Sequence, residues 1–229
     1  GATAAAEAAA MCRDRKRSTV YVSGAANPGV IEVIKTYCFG SNTKVIIVPE
    51  ECGVTDADAL ARMMKEDAQA ACFYVQQPNY FGNMEDGDVL GRIVHDAGAK
   101  YIMGCNPMAL GIMKTPAGYG ADIAVGDGQP LGMPLAFGGP YLGFMAATAA
   151  MARKLPGRIV GETKDDKGER AFVLTLQARE QHIRREKASS NVCSNQAWCA
   201  LTASVYMTAM GADGMAEAAA QCMSKAHYL

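Results

Sequence analysis

TVYVSGAANPGVIEVIKTYCFGSNTKVIIV, Thr19 to Val48, holds the pattern on which the fold turns. A short run rich in β-branched and aromatic residues (19–23) gives way to apolar residues at helical spacing (28–39), then to a second β-branched run (44–48). Pro28 stands near the start of the helical part behind Asn27, whose side chain can accept from the unpaired N–H groups of a first turn. Strand, helix and strand in this order predict two parallel strands joined by a crossover helix. The alternation continues, with strands expected at 71–76 (ACFYVQ), 100–104 (KYIMG) and 121–126 (ADIAVG). Helices are expected at 55–67, with Thr55 before an Asp-rich first turn, and at 86–98. The predicted class is α/β: a three-layer α/β/α arrangement around a mostly parallel sheet.

After residue 126 the texture changes. GDGQPLGMPLAFGGPYLGFMAA is dense in Gly and Pro, so a long loop or tight hairpin is expected in place of a crossover helix, with Gly138-Gly139-Pro140 turning the chain into the strand YLGFMAA. Loops after the carboxyl ends of such strands are where open α/β sheets hold ligands. GRIVGE and RAFVLT, on either side of the polar turn 164–169, read as a hairpin. From 195 onward the pattern is helical, with Gly211 expected as a C-cap. No internal repeat is present.

The chain has 229 residues, half of them apolar, which suffices for one sizeable core or most of a larger domain. Its 22 basic and 23 acidic residues balance, so there is no global field to recruit nucleic acid or an anionic membrane, and recognition of charge must be local. No apolar run approaches the roughly 18 residues of a membrane span. The eight cysteines fall singly in apolar segments without a C-x-x-C pair, a pattern that predicts reduced core cysteines, no metal site and a cytoplasmic location. Gly1 opens directly onto a helix-forming run and Leu229 lies inside another helical pattern, so a fragment of a longer protein is expected.

Local charge is concentrated in Phe172 to Gln196, FVLTLQAREQHIRREKASSNVCSNQ. His182, Arg184, Arg185 and Lys187 are followed by Ser189, Ser190, Asn191, Ser194 and Asn195, ahead of the apolar run 197–210. Two readings fit the spacing. Basic side chains before a Ser/Asn-led helix start form a site for phosphate or carboxylate, and the same residues also fit a solvated helix face and an ordinary N-cap.

GATAAAEAAAM, VSGAANP, QQPNYFGN, GADIAVGDGQPLGMPLAFGGPYLGF, PGRIVGET and the stretch from Phe172 to Ala197 together resemble the glycine-cleavage P-protein (glycine decarboxylase) family, in particular subunit 1 of its two-subunit bacterial form. The resemblance covers nearly the whole chain. It implies that residues 1–229 are the large domain of a fold-type-I pyridoxal-phosphate (PLP) enzyme, without the family's N-terminal portion and C-terminal small domain. It further implies a heterotetramer, two copies each of this subunit and subunit 2, that decarboxylates glycine and passes the aminomethyl group to the lipoyl arm of H-protein.

PLP chemistry needs a Lys amine for the Schiff base and an acid at the pyridine nitrogen. By resemblance, Gln129 stands where that Lys is expected, and Cys105, six residues before Gly111, stands where the acid is expected. This chain is therefore expected to have no catalytic residue of its own, PLP being held covalently by the partner subunit. The resemblance also implies that Ser190, Asn191, Ser194 and Asn195 reach the partner's PLP phosphate. His182, Arg184 and Arg185 are expected to attract the substrate carboxylate or to pair with acids across the interface. The helix start Gly1-Ala2-Thr3-Ala4 would be a vestigial or structural phosphate cup, Asn79 and Tyr80 cavity-lining residues, and His95 and His227 structural. Two rivals remain: a structural or regulatory pseudoenzyme, and a self-sufficient PLP lyase or transaminase using Lys114 or Lys187.

Overall fold

The computed structural model describes residues 1–176, 180–192 and 196–229. Its core is a six-stranded sheet built from β1 (Thr19–Ser23), β2 (Val45–Val48), β5 (Ala70–Gln77), β6 (Lys100–Cys105), β7 (Ile123–Asp127) and β8 (Gly143–Ala147), in the order β2-β1-β5-β6-β7-β8. The first five strands are parallel, and β8 runs antiparallel to β7, pairing Ile123 with Ala147 and Asp127 with Gly143. The reversal follows from the sequence: no helix intervenes between β7 and β8, and without a crossover the chain can only return antiparallel.

Helices cover both faces. On one side α1 (Ala2–Cys12) and α2 (Pro28–Gly40) form a core with Val20, Val22, Ile102, Ile123 and Val125. Ala5, Ala6, Ala8 and Ala9 of α1 are all buried, and their single methyl groups let the helix lie close to the strands. On the other side α3 (Ala57–Glu66) and α4 (Gly87–Asp96) bury Leu60, Met64, Leu90 and Val94 against Tyr21, Phe73, Val75 and Tyr101. The three-layer, mostly parallel α/β/α arrangement is the predicted one. Strands β1, β5 and β6 are buried almost throughout, as expected for strands sandwiched between helices.

Hydrogen bonds explain most boundaries. Asn27 Oδ1 accepts from the Gly29 N–H at 2.8 Å, with Pro28 at the first helical position, as the sequence indicates. At α3 the expected cap moves by one residue. Asp56, not Thr55, accepts from the Ala59 N–H at 2.8 Å, because the Thr55 hydroxyl is taken by Ser23 Oγ at 2.7 Å. Thr55 belongs instead to a two-strand ribbon, β3 (Glu50–Glu51) with β4 (Val54–Thr55), too short for any periodicity to announce.

The predicted hairpin is present as β9 (Ile159–Lys164) against β10 (Arg170–Thr175). The basic run folds into a single turn, α5 (Gln181–Arg184), continued by a 3₁₀ turn at Arg185–Lys187. The chain then enters α6 (Ala197–Tyr228) through Gln196, whose side chain makes no capping hydrogen bond. Gly211 does not end this helix. With φ 64° and ψ −177° it kinks the chain, and helix resumes immediately on the far side. A glycine takes positive φ without steric cost, so the residue expected as a terminator serves here as a joint. Among the described residues, no helix is long and apolar enough to cross a membrane.

Candidate functional site

The carboxyl ends of the parallel strands open onto a cavity of about 290 Å³. Its walls include Asn27 after β1, Tyr74 and Gln76 of β5, Gly104, Cys105 and Asn106 at β6, Asp127 at the end of β7, and Gln129 and Tyr141 in the loop between β7 and β8. Cys105 and Gln129, far apart in sequence, thus face one space. Gly104 and Gly126 shape it from below. A Cβ on Gly104 would overlap the Tyr74 ring and hydroxyl, and one on Gly126 would overlap the Cys105 carbonyl and the Phe144 ring.

The polar groups around this cavity are mostly engaged. Gln129 donates from Nε2 to the Met133 carbonyl at 2.8 Å, and its N–H donates to Asp127 Oδ1 at 2.9 Å. Asp127 Oδ1 also accepts from the Leu142 N–H at 3.2 Å, so one carboxylate oxygen closes the loop on itself. Gln76 Oε1 accepts from the Asn27 N–H at 3.0 Å. Burial pushes the Cys105 thiol up to about 11, so at neutral pH it is a protonated thiol and a poor nucleophile. Burial also raises the Tyr74 phenol well above its ordinary value.

Among the described residues, no lysine lines this cavity. Lys114 Nζ instead grips Asp88 at 2.6 and 2.9 Å and lies 4.5 Å from the centre of the Tyr119 ring. Imine formation requires a primary amine within reach of the aldehyde, so this cavity does not fit covalently held PLP. No step through that cofactor is derived for it.

Comparison with known proteins decides the family. The family model described as the glycine cleavage system P-protein matches residues 1–229, the whole chain. The chain belongs to the glycine cleavage system P-protein family. A protein of Moorella thermoacetica named "Probable glycine dehydrogenase (decarboxylating) subunit 1" is 51% identical over 229 residues, covering 100% of this chain and 51% of that protein. The chain therefore spans about half the length of the curated relatives it matches. A crystal structure of glycine decarboxylase (P-protein) of the glycine cleavage system, in inhibitor-bound form, superposes with a TM-score of 0.88 at 42% identity over 95% of this chain and 48% of that one. Mouse CSAD, at 14% identity and a TM-score of 0.69 over 99% of this chain and 49% of that one, shares the fold alone. The architecture is that of fold-type-I PLP enzymes.

The residues singled out in the basic segment do not converge on the strand-end cavity. Ser190 Oγ donates to Glu7 Oε1 of α1 at 2.7 Å and accepts from the Val192 N–H at 3.0 Å. Arg184 and Lys187 line a second cleft of about 530 Å³ together with Ser190. His182, Arg185 and Asn191 lie at a third, open hollow with Gln181 and Glu186. Ser194 and Asn195 lie outside the described residues. Asn79 and Tyr80 are not among the residues lining the strand-end cavity. Asn79 ties its loop down instead, donating to Gly53 O at 2.8 Å and Glu85 Oε1 at 2.9 Å, while Tyr80 is exposed on that loop. His95 Nε2 meets Asp122 Oδ2 at 3.1 Å, a structural tie between α4 and the start of β7, as expected of it. His227 lies in the last turn of α6.

The partners of the basic segment were missed by sequence reasoning. Glu7, Arg13, Arg153 and Lys154 complete the second cleft. Arg153 and Lys154 are adjacent and Arg13 opens the charged run 13–17, but nothing local relates either stretch to residues 184–190.

Proposed function

We propose that this chain is the subunit of a glycine-cleaving enzyme that does not carry the Schiff base. In that reading the whole assembly pairs it with subunit 2, two copies of each. It decarboxylates glycine with PLP held covalently by the partner and transfers the aminomethyl group to the lipoyl arm of H-protein, in the cytoplasm. Residues 1–229 are its PLP-transferase-like large domain. The observation that supports this most strongly is the shared placement of Cys105 and Gln129 at a strand-end cavity with no lysine among the described residues of its walls. An amide and a neutral thiol supply neither the amine nor the anionic acid that PLP chemistry demands.

This chain would then provide scaffold, interface and the loops beside the partner's cofactor. Ser190, Asn191, Ser194 and Asn195 would border the partner's phosphate, with His182, Arg184 and Arg185 drawing in the substrate carboxylate. The test is borohydride reduction of the full-length two-subunit enzyme loaded with PLP, followed by peptide mapping. The expected result is a single modified lysine, on the partner. A reduced adduct on Lys114, Lys187 or any other lysine of this chain overturns the assignment.

One observation favours the purely structural rival. The Ser190 hydroxyl is already committed to Glu7 of its own chain. Ser190→Ala and Asn191→Ala in the assembled enzyme separate the two: weakened cofactor retention supports the cofactor-side role, and unchanged retention and turnover leave the segment a structural one.

A further inference from the structure

A second cleft lies where the basic segment meets α1. The cleft of about 530 Å³ shares no lining residue with the strand-end cavity. Among the described residues, five cationic side chains from three separate stretches line it: Arg13 from the end of α1, Arg153 and Lys154 from the 3₁₀ turn Ala149–Lys154, and Arg184 and Lys187 from the basic segment. The chain as a whole is balanced in charge, so five cations around one hollow mark a local departure from that balance.

The arrangement is partly built in advance. Arg13 donates from Nη1 to Ser41 Oγ at 2.6 Å and also to Thr43 Oγ1, which fixes its guanidinium beyond the end of α1. Lys154 and Lys187 form no ion pair among the described residues. Among the described residues the one acid in the wall is Glu7, and its carboxylate is occupied by the Ser190 hydroxyl. Burial raises the Glu7 carboxyl above its ordinary value, against the opposing pull of that hydrogen bond and of Arg13. Asp14 lies close enough to Lys154 to feel its charge, but its Oδ1 accepts from the Lys16 and Arg17 N–H groups at 2.7 and 2.9 Å.

We propose that this cleft binds a compact, multiply charged oxyanion of the phosphate class. Arginine forks match tetrahedral phosphate oxygens, and two ammonium groups at the rim add attraction without fixed geometry. The site does not depend on which subunit carries the PLP. An acidic segment of another protein is the competing occupant.

The test uses the full-length two-subunit enzyme and inorganic pyrophosphate as probe, with sulfate as a singly compact control. Calorimetry is expected to show saturable binding of pyrophosphate that weakens as salt rises. The double variant Lys154→Gln/Lys187→Gln is expected to bind it about 10-fold or more weakly, with the PLP absorbance band unchanged. In the unmodified enzyme, pyrophosphate is expected to protect Lys154 and Lys187 from acetylation, read by mass spectrometry, which does not depend on a variant folding. Absence of binding at millimolar probe, equal affinity in the double variant, or acetylation of both lysines regardless of probe overturns the proposal. Absence of binding together with loss of subunit assembly in the double variant assigns the cleft to an acidic protein surface instead.

Discussion

The sheet body and the arm that follows it obey different rules. Between β1 and β7 the side chains packed on the sheet are withdrawn from solvent, with Tyr21, Phe73, Tyr101, Leu60, Leu90, Ile102 and Met103 each under 2% exposed, although others on its helices and loops, such as Phe39 and Tyr80, are exposed. In the arm from β9 to α6 the apolar side chains face outward, with Val160 at 61%, Phe172 at 62%, Trp198 at 78% and Val205 at 61% exposed. Only Ala203 and Ala219 of the 32-residue α6 are buried. Apolar surface on this scale marks contact with something else. The body is held by its own packing, whereas the arm presents surface for association, and substitutions in the two should be read out by different measurements.

The sharpest break of this contrast is Phe73→Ala. Phe73 is fully buried and stacked on Tyr101 with ring centroids 6.4 Å apart. Loss of about 3–5 kcal/mol is expected in denaturant unfolding of the full-length chain. Gly104→Ala should come next, costing about 1–3 kcal/mol, because its methyl group must displace Tyr74 in the middle of the sheet. A fall well below 1 kcal/mol in either would mean that the body is looser than its burial implies.

Asp122→Asn tests the electrostatic seam of the body. Asp122 accepts from Lys100 Nζ at 2.8 Å, the Tyr101 N–H at 2.9 Å and His95 Nε2 at 3.1 Å. Burial alone would raise its carboxyl, but these donors hold it below the ordinary value of 3.8. A carboxylate with a lowered folded pKa contributes stability in full above its unfolded value and loses it as the pH falls through the folded one. The wild-type chain should therefore be more stable than Asp122→Asn by about 1–2 kcal/mol at pH 7. The difference should shrink in acid below 3.8, measured by unfolding across pH.

The arm gives the smallest effect on stability. Trp198→Ala should leave the chain's own unfolding within about 0.5 kcal/mol. In the proposed two-subunit assembly, by contrast, sedimentation should show association weakened by about 1–3 kcal/mol. Unchanged association would remove Trp198 from any contact surface and blunt the contrast between the regions.

Much of the body could be read directly because its signals are local. β1 begins and ends where its β-branched run does, and α2 starts where Asn27 and Pro28 place it. The place of the strand-end cavity was legible for a related reason, since in a parallel sheet every carboxyl end lies at one edge, whereas Cys105 and Gln129 were singled out by the family resemblance. What escaped depends on pairings that no window contains. The Ser190 hydroxyl finds Glu7 across 183 positions, and the 530 Å³ cleft needs three stretches brought together by the fold. Thr55 before an Asp-rich turn has the local pattern of a cap, whereas its hydroxyl is committed to Ser23.

The bend at Gly211 has a mechanical result. Before it, Tyr206 rests against Gly132, and after it, Met215, Ala216 and Ala219 rest against Gly111. A straight rod would have to meet both supports in one line, and the bend removes that demand. Trp198 then projects about 12 Å beyond the nearer support, eight residues at the helical rise. Tilting this overhang by roughly 10° would carry the indole about 2 Å by the same geometry. The aim of the exposed Trp198 ring is thus set by backbone torsion at one glycine rather than by its own neighbours.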